Sequence, residues 1–108
     1  MVEQGDIIII NFDPRFGHEQ AGKRPALVVS NDTFNRKCHL SLVCPITNAI
    51  NGFPLHVNLD IRTKTSGSVL CEHIRSLDIE SRGYRVVEKM PEDLLRRVID
   101  IINAEIEM

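Results

Sequence analysis

No apolar run in the chain approaches the roughly 18 to 20 residues that cross a bilayer as a helix, and the opening MVEQGD lacks the basic region of a secretory signal. Neither a membrane span nor export is expected, and a cytoplasmic location is. Cysteine is scarce. Cys38, Cys44 and Cys71 are odd in number, show no CxxC spacing and sit in apolar, strand-like runs. That excludes a disulfide framework and a zinc knuckle, and all three are read as buried apolar residues in a reducing compartment. A large charge of either sign is also missing. The formal net charge is −2, so bulk charge gives no sign of a nonspecific nucleic-acid binder. Gly17 and Gly22 match neither a P-loop nor a dinucleotide fingerprint and are read as backbone freedom for a loop. His39, His56 and His73 lack metal-ligand spacing and are read as surface or strand positions, so no metal or cofactor is expected.

What is present suits one small domain spanning residues 1–108, with 43% apolar and 26% charged residues and no repeat or linker. Runs rich in β-branched residues between turn signals predict strands at 6–12 (DIIIINF), 24–30 (RPALVVS), 39–46 and 53–59, the last two joined across TNAING. Pro45 and Pro54 suggest strand ends or edges. A further strand over 67–79, bent midway, and one over 83–90 complete five or six. From Pro91 the period changes. Leu94, Leu95, Val98, Ile101, Ile102 and Ile106 recur at helical spacing, with Pro91 suited to a first helical position and Glu92 and Asp93 favourable at the N-terminal end. The expected architecture is a small curled antiparallel sheet or barrel closed by a C-terminal helix.

The loop before the second strand, FGHEQAGKRP, concentrates His18, Glu19, Lys23 and Arg24 where a solvated turn needs few ionisable groups. Basic residues also recur near other turns, at Arg36, Lys37, Arg62, Lys64, Arg75, Arg82 and Arg85, which leaves room for a local basic face. Together GDIIIINFDP, GHEQAGKRPALVVSN, CPIT and EHIRSLD, in that order, closely resemble the MazF/PemK family of toxin endoribonucleases of bacterial type II toxin–antitoxin modules. The resemblance runs from about Gly5 to the C-terminal helix, and the EQxGxRP-type loop is its specific part.

The resemblance implies a small SH3-like β-barrel with short helices and a C-terminal helix, acting as a homodimer on single-stranded mRNA without a metal. Cleavage through the ribose 2′-hydroxyl would leave a cyclic phosphate and a 5′-hydroxyl. A MazE-like antitoxin would hold the toxin inactive in a complex that binds DNA. The family's catalytic arginine and threonine fall on Arg24 and Thr47, and its loop glutamate on Glu19. His18 stands where many members carry serine or threonine. Glu72, after the VLC strand, corresponds to a groove position that helps choose the sequence cut.

Such a reaction needs a base for the 2′-hydroxyl, positive charge on the phosphorane oxygens and an acid for the leaving oxygen. Arg24 supplies charge in a bidentate manner, while its permanent protonation makes it awkward as a base and leaves His18 or Glu19 to compete for that role. Thr47 offers a neutral donor. Gln20, Lys23, Phe53, Arg62, Lys64, Thr65, Glu72 and Arg75 are candidate RNA contacts, Phe53 by stacking on a base. Most have a structural alternative: Arg24 paired with Glu19 or Asp32, Thr47 as a β-branched strand end or turn hydroxyl, Glu19 bonded to the loop backbone, His18 as a solvated histidine, Glu72 as a solvated strand end, Phe53 as half-buried packing, Arg75 and Asp78 paired with each other or with Arg82, and Arg62, Lys64 and Thr65 as a solvated turn. A different class of function is a CcdB-like toxin that poisons DNA gyrase without catalysis. The EQAGKRP loop with Thr47 points away from it, as does the NAEIEM ending. A third alternative is a degenerate module that keeps the site only as an antitoxin-binding surface.

Overall fold

The isoleucine run at 7 to 10 fills two interiors, which is why it shows no polar alternation. In the computed structural model, which describes residues 1–14, 16–49 and 52–108, Ile7 packs beneath the C-terminal helix with Leu27, Cys44, Ile46, Val69 and Val98. Ile8 and Ile10 turn the other way, into a cluster with Phe12, Ala26, Val28, Val43 and Leu77. The expected TNAING join lies partly outside the described residues.

The order along the chain is β1 (Asp6–Asn11), β2 (Lys23–Val28), α1 (Asp32–Lys37), β3 (Ser41–Thr47), β4 (His56–Asn58), β5 (Ser68–Leu70), a 3-10 turn (Cys71–His73), β6 (Arg75–Leu77), α2 (Ile79–Arg82), β7 (Tyr84–Lys89) and α3 (Glu92–Ile106). The strands form one antiparallel sheet in the order β4-β5-β3-β2-β1-β7, with β6 also paired to β3. Among the described residues no pairing joins β4 to β7, so the expected barrel is a curled sheet left open between its end strands.

The bend expected within 67–79 is the 3-10 turn, which splits that segment into two strands on opposite ends of β3. β5 pairs with Ile46 and Thr47, and β6 with Ser41 to Val43. Pro45 therefore lies inside β3 rather than at an end. It sits opposite Ala26, where β3 has left β6 and not yet met β5, a gap that tolerates a residue with no N–H to donate. Helix α1 was not expected, because Asn31-Asp32 reads equally well as a turn. Here the Asn31 side chain accepts from Phe34 N at 2.8 Å and caps the helix. Asp78 does the same for α2, accepting from Ser81 N and Oγ, and so makes no pair with Arg75 or Arg82.

Leu94, Val98 and Ile102 carry α3 onto the first core, while Ile106 runs beyond it into solvent. Pro91 immediately precedes the helix as its N-cap residue, one position before the expected one. Cys44 and Cys71 are buried as expected, and burial pushes the Cys71 thiol up to about 12. Cys38 is exposed at the end of α1, a correction to its reading as a core residue.

Residues 60 to 65 are tied to β7 through Glu88. Burial opposes ionisation of this carboxyl, but hydrogen bonds from Lys64 N (3.0 Å), Thr65 N (2.8 Å) and Thr65 Oγ1 (2.8 Å) outweigh it and hold the pKa below its usual value. A depressed folded-state pKa contributes stability above the unfolded pKa and loses it as pH falls through the folded one. Glu88→Gln is therefore expected to cost about 1 kcal/mol at neutral pH, less as pH drops below 4. Denaturant melts of both proteins across that range check this; equal stability at pH 7 would contradict it.

Candidate active site

The loop between β1 and β2 is closed at its base by three separate contacts. Phe12 N donates to Gly22 O and Gly22 N to Asp13 Oδ1, each at 2.9 Å. Arg82 Nη1, from α2, donates to both Asn11 O and Asp13 O at 2.8 Å. Gly22 takes φ +76, a left-handed conformation that glycine adopts without strain. Within the loop Glu19 Oε1 accepts from Phe16 N at 3.0 Å. So fixed, His18, Glu19 and Gln20 form one wall of a groove of about 310 Å³. Glu72, His73, Ile74 and Arg75 supply other parts of its lining, with Phe12 and Pro45.

Arg24 and Thr47 are not part of that lining, and strand register relates them to each other. Ala26 lies opposite Pro45 and Leu27 opposite Cys44, and the same register continued two residues past Ala26 sets Arg24 across from Thr47. Cross-strand partners share a face. Both side chains therefore rise on the side of the sheet that carries Phe12 and the second core. Arg24 Nε donates to Ala21 O at 3.0 Å, which fixes the guanidinium and leaves both Nη nitrogens without a partner among the described residues. It pairs with neither Glu19 nor Asp32. Thr47 Oγ1 accepts from Ala49 N at 3.4 Å and keeps its hydroxyl proton to donate.

Glu72 is exposed and at the same time held in place. Its Oε2 lies 2.9 Å from His56 Nε2 and 4.0 Å from His73 Nε2, and the His56 side chain is only 8% exposed. The Phe53 ring packs on His56 with centroids 4.9 Å apart and remains half exposed, beside Glu72. Nearby, the Glu105 carboxyl is raised, first by burial and then by the charge of Glu72.

The remaining candidates lie elsewhere. Lys23 precedes Arg24 in β2 and points to the opposite face, into a depression with Asn11, Arg82 and Arg85. Arg62 is occupied: its guanidinium holds Asp60 and Asp93, both at 2.8 Å, and these bonds raise its pKa. Thr65 is engaged with Glu88, and Lys64 is exposed in the same loop. These four residues do not join the groove. Residues that the sequence did not single out do join it. Phe12 was read as part of the first strand and Pro45 as a strand end or edge, Ile74 fell within the expected bent strand, and His73 carried no metal-ligand spacing. Phe16, 71% exposed in the loop between β1 and β2, is not part of the groove lining.

The PemK-like, MazF-like toxin family of type II toxin–antitoxin systems matches residues 3–105. The chain is similar to "Endoribonuclease PemK" of Escherichia coli, 38% identical over 104 residues that cover 91% of this chain and 77% of that protein. Its fold superposes on the crystal structure of MazF from Deinococcus radiodurans with a TM-score of 0.92 at 37% identity, covering 99% and 97% of the two chains. A MazE–MazF structure from the same organism gives 0.84 at 33% identity, covering 99% and 96%. With the fold, the loop and the family match in agreement, this chain belongs to the PemK-like, MazF-like toxins of type II toxin–antitoxin systems.

Proposed function

We propose that this toxin is an endoribonuclease that cuts single-stranded mRNA through the 2′-hydroxyl on the 5′ side of the scissile phosphate. What supports this reading is the β2–β3 register, which continued past Ala26 and Pro45 sets Arg24 across from Thr47 on the sheet face that carries Phe12, itself part of the groove lining. Its relatives are named endoribonucleases. In the proposed reaction the 2′-oxygen attacks phosphorus as its proton passes to a base. Charge then grows on the nonbridging oxygens, where the free Nη pair of Arg24 and the Thr47 hydroxyl donate hydrogen bonds. The P–O5′ bond breaks, the leaving oxygen takes a proton, and a 2′,3′-cyclic phosphate and a 5′-hydroxyl result.

Of the two candidate bases, His18 fits better. Glu19 already spends Oε1 on the loop backbone, while the His18 ring has no partner among the described residues and lines the groove. Phe53 and Glu72, held together by His56, are suited to receive a base by stacking and by accepting from its edge. Glu72→Ala is accordingly expected to change which sequence is cut more than it changes the rate, and an identical cut-site profile would refute that role.

The proposal includes action as a homodimer that a MazE-like antitoxin holds inactive; a similar solved structure is one of MazE–MazF. No described helix is long and apolar enough to cross a membrane, and a cytoplasmic site of action is proposed. Gyrase poisoning needs neither Arg24 nor Thr47 and is not favoured. The chemistry is tested with an RNA carrying a single 2′-deoxy nucleotide 5′ of the cut. Cleavage there is expected to stop, in EDTA as without it. Continued cutting at the deoxy position contradicts 2′-hydroxyl attack, and loss of all activity in EDTA contradicts metal independence.

A further inference from the structure

Arg75 is the one described residue with a side-chain nitrogen both buried and lacking any hydrogen-bond partner, its Nη1. The expected partner, Asp78, is committed to capping α2, and Arg82 is committed to the loop base. No ion pair reaches Arg75 among the described residues. Its guanidinium carbon instead lies 6.0 Å from the centroid of the Phe12 ring, near the outer limit of a useful cation–π contact. A guanidinium is always charged, and a desolvated donor left unmade is costly. A position chosen for stability alone would carry methionine or leucine.

What Arg75 faces accounts for the cost. In the sheet it lies opposite Val43, so it rises on the same face as Pro45, Thr47 and Arg24, and it helps line the groove with His18, Glu19 and Gln20. The Phe12 ring and the half-buried side chain of Ile74 keep the site apolar, which strengthens any charge-assisted bond made there.

We propose that Arg75 is a phosphate-binding residue of this groove, its guanidinium donating to a nonbridging oxygen of the bound RNA. It thus serves the ribonuclease proposed above as a second guanidinium on the same sheet face as Arg24, set in place before substrate arrives. The inference rests on that reading of function. It also carries a signature that a structural arginine lacks: removing the charge weakens binding while leaving the free protein as stable or more so.

The test compares wild type, Arg75→Met and Arg75→Lys. Methionine keeps an apolar stem of similar length without the charge. Binding is measured with an all-deoxy oligonucleotide of the cut sequence, which resists cleavage, at several salt concentrations, and thermal melts are run with and without inorganic sulfate. Arg75→Met is expected to bind about tenfold to a hundredfold more weakly, with a log–log salt slope smaller by about 0.7. Its melting temperature in the absence of anion is expected to hold or rise, and sulfate is expected to stabilise it less than wild type. Arg75→Lys is expected to retain the salt slope and part of the affinity. A wild type that cuts RNA while Arg75→Met keeps its affinity and slope, or melts lower with binding intact, overturns the inference alone. A wild type that neither cuts nor binds overturns the ribonuclease reading and this inference with it.

Discussion

Arg24→Ala is expected to lower cleavage by at least about a thousandfold while the fold survives. The magnitude follows from what the residue offers to a phosphorane: two free Nη donors, held by the bond from Nε to Ala21 O, in a site where a single lost oxyanion donor typically costs a hundredfold to a thousandfold. The fold survives because the removed group is half-buried at the start of β2, makes no ion pair among the described residues, and leaves the register with Ile10 to the backbone. Arg24→Lys restores charge but not the planar pair of donors, and is expected to recover little. Cleavage assays on folded, purified variants check this. Wild-type rates in Arg24→Ala would remove the residue from the chemistry.

Gly67→Ala is expected to destabilise the protein by roughly 2 to 4 kcal/mol and to impair cleavage in the fraction that remains folded. Gly67 takes φ +113, a conformation side chains rarely adopt, and a Cβ built there would lie 1.8 Å from Thr47 O and 2.7 Å from Thr47 C. Backbone cannot yield as a flexible side chain can. Either Gly67 or Thr47 must move, and β5 pairs directly with Thr47 through Ser68. The substitution therefore shifts the proposed phosphate donor without touching its chemistry. Denaturant unfolding paired with single-turnover cleavage measures both effects. Full stability would contradict the geometry, and full activity at reduced stability would remove Thr47 from the site.

Much of this was legible in sequence, for identifiable reasons. The C-terminal helix announced itself through period, and the strands through β-branched runs between turns. The loop carried His18, Glu19 and Gln20 in one contiguous stretch, so their shared wall followed once the stretch was recognised. Arg24 and Thr47 were named from resemblance, but their opposition depends on the β2–β3 register, which the residues of neither strand state alone. Lys23 illustrates a signal that was present and unused: beside Arg24 in a strand, it had to face the other way. Arg62 shows the reverse. Nothing local reveals that Asp93, 31 residues on, takes its charge. Helix α1 was hidden because asparagine and aspartate serve caps and turns alike. Arg75 looked like half of a local ion pair with Asp78; only the capping of α2 shows that its partner is already spoken for.

The most direct measurement is to incubate the purified protein with a long single-stranded RNA in EDTA, beside Arg24→Ala, and to map the 5′ ends of the fragments. Discrete cuts at a short recurring sequence, bearing 5′-hydroxyl ends and absent from the variant, are the expected result. An intact RNA after incubation with the folded protein, or 5′-phosphate ends that the variant produces equally well, would contradict the account.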